Sequence, residues 1–145
     1  VDNVKQIEKD FKELLNEQNA YRETIMLTHW DLRTKIPKKG VEQRSEAVGF
    51  LSEKLHKLET SEKMKYFIDA LKGNTEDEIM QKTIEECEEV YERNHKIPNA
   101  EFKEYVMLQS KSEAIWQEAR EKGDFALFKP YLEKLAAFNK RFAEY

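Results

Sequence analysis

Four glycines and three prolines in 145 residues leave few places where a helix must stop, and no segment shows the alternation of a strand. Histidine is as scarce. His29, His56 and His95 lie far apart, and no His-Glu-x-x-His pair is present to begin a catalytic zinc site. Cys87 is the only cysteine, which excludes an internal disulfide and a cysteine-built zinc site and fits a reducing, cytoplasmic setting. No apolar run exceeds four residues, as at Tyr105–Leu108, far short of the roughly 18 to 20 needed to cross a bilayer. The N-terminus lacks the charged, apolar and small-residue pattern of a secretory signal. A surplus of one charge is missing too: 25 basic residues nearly balance 29 acidic ones, and a net charge of -4 provides no positive field for phosphate backbones or anionic lipid. Neither nucleic acid nor a membrane is an expected partner.

What the chain has in quantity is charge, at 37% of residues, while Leu, Ile, Val and Phe occupy 34 positions. That is enough apolar surface for a folded domain with a thin core. Ala, Glu, Lys, Leu, Gln and Met dominate, a helix-forming composition. Apolar residues at Val4, Ile7, Phe11, Leu14, Tyr21, Ile25 and Leu32, with Gln18 and Thr28 in the gaps, predict one long helix to about Thr34, ended by Pro37 and Gly40. A second helix is predicted from Val41 with Val48, Leu51, Leu55 and Leu58 on its inner side, and a short third one capped by Thr60 or Ser61 and followed by Gly73. Thr75 and Glu78 have capping-box spacing for a fourth helix, with Met80, Ile84, Cys87 and Tyr91 inward, stopping near Ile97-Pro98. Asn99 is the expected cap of a fifth that runs to Gly123. Asp124 starts the last, with Pro130 in its first turn and a Leu132/Leu135/Phe138/Phe142 stripe. The expected fold is all-α, with long antiparallel helices in a bundle-like or helical-hairpin array. No linker or repeat divides it, so residues 1–145 read as one helical region.

Chemical signatures are few. There is no glycine-rich phosphate loop and no Gly-x-Ser-x-Gly elbow. Glu53-x-x-His56 and Glu92-x-x-His95 have the spacing that di-iron bundles use, but such sites need all ligands to project inward. At 3.6 residues per turn Glu53 and Glu92 fall away from the apolar stripes and are expected to face water. The run Glu85, Glu86, Glu88 and Glu89 reads as a solvated face. Trp30 and Trp116 are expected in the core or an interface, and Cys87 as inert packing.

One constellation is less ordinary: Trp30-Asp31-x-x-Thr34-x-x-Pro37-x-x-Gly40-x-x-x-Arg44, leading into Leu51-Ser52 and His56. It resembles the N-terminal part of the carboxypeptidase Taq family, the thermostable metal-dependent carboxypeptidases. Further stretches agree in order: Tyr91-x-Arg93 with Ile97-Pro98, Ala114-x-Trp116-x-x-Ala119-Arg120, and Asp124-Phe125-x-x-Phe128-x-Pro130. The resemblance implies an all-helical cytoplasmic metallopeptidase, usually a homodimer, that removes C-terminal residues from peptides with broad specificity. It also implies a metal, zinc or cobalt, held by a His-Glu-x-x-His helix and a downstream glutamate. None of those catalytic or metal-binding motifs falls within this chain. The pattern still runs at Tyr145 and the first residue is Val1, so the chain reads as the N-terminal helical region of a longer enzyme, a wall or lid of the peptide groove, inactive alone. The alternative is a stand-alone helical protein-interaction module.

Asp31 falls near a helix C-terminus, where the dipole disfavours a carboxylate by a few tenths to about 1 kcal/mol. Arg44, across the Pro37/Gly40 turn, is its expected partner.

Overall fold

The structure is a computed structural model that describes residues 2–145; Val1 lies outside the described residues. Six α-helices and a short 3-10 helix account for the regular structure, with no strand among the described residues. They are α1 (Asp2–Thr34), the 3-10 turn Lys38–Gly40, α2 (Val41–Glu59), α3 (Glu62–Leu71), α4 (Glu78–Asn94), α5 (Asn99–Lys122) and α6 (Phe125–Phe142). The contacts divide the chain into two units, one combining residues up to Arg22 with Lys54–Lys96, the other Glu23–Glu53 with Ile97–Tyr145.

The first unit has a continuous core. Phe11 and Leu14 of α1 meet Met64, Phe67, Ile68 and Leu71 of α3 and Met80 and Ile84 of α4. Leu58, Cys87 and Tyr91 pack around them, and the Phe11 and Phe67 rings lie 5.5 Å apart. Of the α1 stripe Phe11 and Leu14 are buried and Val4, Ile7, Tyr21, Ile25 and Leu32 half-buried, with Gln18 in its gap fully buried. Ser61 caps α3 by accepting from the Met64 amide at 3.0 Å, and Gly73 takes φ 73° in the turn to α4. That left-handed turn suits a residue without Cβ.

Two caps differ from the sequence reading. Asp77, not Thr75, caps α4, its carboxylate accepting from the amides of Ile79 and Met80. The Thr75 hydroxyl instead donates to Glu8 Oε1 at 2.5 Å, so the longer-range contact claims it. Asn99 is already inside α5, which begins after Pro98 without a side-chain cap.

In the second unit α5 and α6 form a hairpin through Gly123, at φ 64°, and Asp124, whose carboxylate caps α6 at the Ala126 amide. Because that cap starts α6 at Phe125, Pro130 lies inside the helix rather than in its first turn, and the Ala126 carbonyl loses its usual donor. Tyr105 of α5 packs on Phe138 and Phe142 at 5.8 and 5.2 Å, but no residue of α6 is fully buried.

The inner face of α2 is rotated from the predicted leucine stripe. Ser45, Val48, Gly49, Ser52 and His56 are its buried residues, while Leu51, Leu55 and Leu58 are half-buried. Close approach explains the part of this face that lies in the second unit. A Cβ on Gly49 would sit 2.3 Å from Met107 Cγ and 3.4 Å from the Lys103 carbonyl oxygen of α5. Only small side chains fit where two backbones come so near, so serine and glycine displace leucine there.

Candidate functional site

The Trp30–Arg44 constellation lies wholly in the second unit and forms the corner between α1 and α2. Thr34 donates its hydroxyl to the Trp30 carbonyl at 2.8 Å, satisfying an acceptor at the end of α1. Pro37 is extended at φ -62°, and its carbonyl accepts from the Gly40 amide at 2.7 Å, closing the 3-10 turn. A Cβ on Gly40 would lie 3.1 Å from Ile36 Cγ1, which keeps this position small. Across the turn Arg44 Nε meets Asp31 Oδ2 at 2.9 Å, the pairing predicted from the helix dipole. Arg33 grips Glu113 of α5 with Nε at 2.8 Å and Nη2 at 3.3 Å, and Lys111 reaches Glu42 at 3.0 Å. These pairs hold the corner against α5 within the unit. His29, one turn before Arg33, has its pKa pushed down first by burial and then by the Arg33 charge, with Glu113 partly opposing.

Two cavities touch the corner. One of about 450 Å³ is lined by Leu32, Arg33, Ile36, Lys111, Ile115 and Tyr131 among others; one of about 420 Å³ by Ile36, Pro37, Gly40, Gln43, Arg44 and Ala47. The acids and bases around the first balance: Arg33, Lys38 and Lys111 face Glu42, Glu118 and Glu121. Neither cavity brings together a nucleophile and a base.

Trp30 is 71% exposed and Trp116 is 44% exposed, so neither is a core residue. The Trp116 indole instead carries the Arg120 guanidinium 5.5 Å from its centroid. Glu92 faces solvent as predicted. Glu53 does not: it is half-buried, 3.4 Å from Lys103 Nζ, because the inner face of α2 is turned toward it. No group of three or more His, Cys, Asp or Glu side chains comes together among the described residues. His56 is buried, and His95 stacks on Tyr91 at 4.9 Å with Nδ1 3.0 Å from the Tyr91 carbonyl. These residues do not fit a catalytic metal.

Gln18 is the residue the sequence reading passed over, treating it as a gap in an apolar stripe. Its signal was that very position: a polar side chain at an inward heptad site has to be buried. Its Oε1 accepts from Arg22 Nη2 at 3.2 Å, and its Nε2 has no hydrogen-bond partner.

The chain, all-helical among the described residues and with this corner, is matched over residues 10–145 by the family described as carboxypeptidase Taq (M32) metallopeptidase. The chain belongs to that family. It is 49% identical over 140 residues to Carboxypeptidase 1 of Bacillus subtilis (strain 168), covering 95% of this chain and 28% of that protein. It is 32% identical over 132 residues to Thermostable carboxypeptidase 1 of Thermus thermophilus, covering 88% of this chain and 26% of the relative. A solved structure titled "BsuCP Crystal Structure" superposes with a TM-score of 0.91 at 47% identity, over 94% of this chain and 28% of the other. The chain thus spans little more than a quarter of the length of these relatives. No helix among the described residues is long and apolar enough to cross a membrane.

Proposed function

We propose that this chain is the N-terminal helical region of a metallocarboxypeptidase that hydrolyses C-terminal residues from peptides, where it walls or covers the peptide groove and has no activity alone. The observation that carries the reading is a family match from residue 10 to 145 by a chain covering 28% of its Bacillus relative. The scattered placement of His29, His56 and His95 supports it, since none joins a cluster of metal ligands among the described residues. The full-length enzyme would supply the zinc or cobalt site and take peptides as substrate. It would work as a cytoplasmic homodimer. The test assays the 145-residue chain and the full-length enzyme on a blocked dipeptide with added zinc or cobalt. Turnover only by the longer protein is the expected result; metal-dependent turnover by the short chain sinks the proposal.

The stand-alone interaction-module reading draws on the exposed Met26, Leu27 and Trp30 on one side of α1. A gene that stops at Tyr145 would favour it; a downstream His-Glu-x-x-His would remove it.

A further inference from the structure

Helix α6 is the thinnest part of the second unit, since Tyr131, Leu135, Phe138 and Phe142 on its inner side are only half-buried. Beside that inner side runs another apolar row. Phe125, Phe128, Leu132 and Ala136 follow one another at steps of three and four, which places them on one flank of the helix over about 16 Å. Phe125 is 61% exposed and Leu132 44%, and the Phe125 and Phe128 rings meet edge to face at 6.4 Å. Single apolar residues on a surface are ordinary, but a row of four on one flank marks a contact surface.

Charge selects what that row can meet. Along α6, Lys129, Lys134, Lys140 and Arg141 stand against Glu133 as the one acidic residue, in a chain whose net charge is -4. Arg141 is committed to Glu101 of α5 at 2.8 Å. Lys129 and Lys140 border the row, three residues before Leu132 and four after Ala136. Lys129 meets Glu133 only at 3.9 Å, a pair that contributes little because both side chains are exposed. An apolar row rimmed by lysine fits an amphipathic helix whose own apolar side is rimmed by Asp and Glu, since the rim charges pair as the rows pack. The acidic run of this chain, Glu85, Glu86, Glu88 and Glu89 on α4, offers no such row: Ile79 is the exposed large apolar residue of that helix.

We propose that this flank of α6 is the docking surface for an acid-rimmed amphipathic helix in the part of the full-length enzyme outside these 145 residues. The inference rests on the reading that the chain is a region of a longer protein, and the size of its relatives leaves ample polypeptide for the partner: the chain covers 28% of the one from Bacillus. Phe125 and Leu132 pack into the apolar side of the partner helix, and Lys129 and Lys140 meet its carboxylates. Docking there gives α6 the burial that α5 alone does not.

Hydroxyl-radical footprinting read by mass spectrometry compares the 145-residue chain with the full-length enzyme. In the full-length enzyme oxidation of Phe125 and Leu132 should fall at least about fivefold, because the core of an interface excludes water. In the short chain both should stay reactive at every protein concentration and with phosphatidylglycerol vesicles present. Exchanging the rim charges, Lys129→Glu together with Lys140→Glu, should restore most of the reactivity in the full-length enzyme, whereas Lys129→Arg with Lys140→Arg should leave the protection in place; circular dichroism checks the helix content of each. Equal reactivity in the two proteins would overturn the proposal. So would protection of the short chain as its concentration rises, which assigns the flank to a second copy, or by vesicles, which assigns it to lipid. Protection that survives the glutamate pair would overturn the acidic rim. Failure of the underlying reading looks different: it is metal-dependent turnover by the short chain, whereas a full-length enzyme that alone is active and has a reactive flank sinks this proposal only.

Discussion

In the first unit eight apolar side chains from α1, α3 and α4 close into one core, whereas in the second the fully buried apolar residues are Val48, Val106 and Ala119, interleaved with Ser45, Ser52, Ser110 and Ser112. Exposure runs the other way. Tyr66 and Ile79 are the exposed large apolar residues of the first unit, while Met26, Leu27, Trp30, Phe50, Trp116, Phe125, Leu127, Leu132 and Tyr145 are those of the second. Ion pairs link separate elements in both units: Arg22–Glu59 and Lys72–Glu88 in the first, and Arg33–Glu113, Arg44–Asp31, Lys111–Glu42 and Arg141–Glu101 in the second, where packing is thin. Exposed pairs of this kind contribute little each. The first unit is thus held by burial in one core, and the second by close small-residue contact of α2 on α5 and by the packing of Tyr105 on Phe138 and Phe142.

The strongest way to break this contrast is to remove its largest buried ring. Phe11→Ala should cost about 3–5 kcal/mol, the range for deleting a buried aromatic, read by urea unfolding followed by circular dichroism. A loss under about 1 kcal/mol would mean the α1/α3/α4 core is not what holds that unit. Hydrogen exchange should agree, with amides of α3 protected more than those of α6, which buries no residue fully.

The close contact of the second unit is tested next. Gly49→Ala places a methyl against Met107 and should destabilise by about 1–3 kcal/mol despite the better helix propensity of alanine. In a Met107→Ala background the same substitution should become neutral or stabilising by up to about 1 kcal/mol, the propensity gain alone. Equal effects in both backgrounds would show that the contact does not limit the packing of α2 on α5.

Smaller effects sharpen the comparison. Asp31→Asn should cost about 0–1 kcal/mol, because both partners of the Arg44 pair are substantially exposed. A loss above about 2 kcal/mol would make the corner a cooperative unit rather than a surface pair. The least effect belongs to His29. Its folded pKa is below its ordinary value, so the unfolded chain binds the proton more readily. Its contribution is therefore fully present above the ordinary histidine pKa and is lost as pH falls through and below it. His29→Gln should flatten that part of the pH–stability curve; an unchanged slope would refute the assignment.

Much of this arrangement was legible beforehand. The three-and-four spacing from Val4 to Leu32 marked both the length of α1 and its inner face, and Ser61, Gly73, Gly123 and Asp124 punctuate the chain where the structure has its caps and turns. The Asp31–Arg44 pair follows from the helix dipole at Asp31 and the place of Arg44 across the Pro37/Gly40 turn. The face of α2 was not legible, because leucine outweighs serine in any pattern read along one helix, and only the approach of α5 selects the smaller side chains. Thr75 misled for a similar reason: its spacing suited a cap, but Glu8, distant in sequence, took its hydroxyl. The corner residues carried the family resemblance without carrying chemistry, since their contacts are those of a turn and its braces.

The sequence by itself determined the helices, their order and most of their ends, because propensity, capping and periodicity act between residues a few positions apart. It also determined the family, through motifs whose order survives without any structure. Only the tertiary structure decided which side of α2 is inside, that α6 packs without burying a residue, and that Gln18 is locked by Arg22 with its amide nitrogen left without a partner. Those outcomes depend on the distance between backbones and on which polar group arrives first, and neither is written in the spacing along one helix.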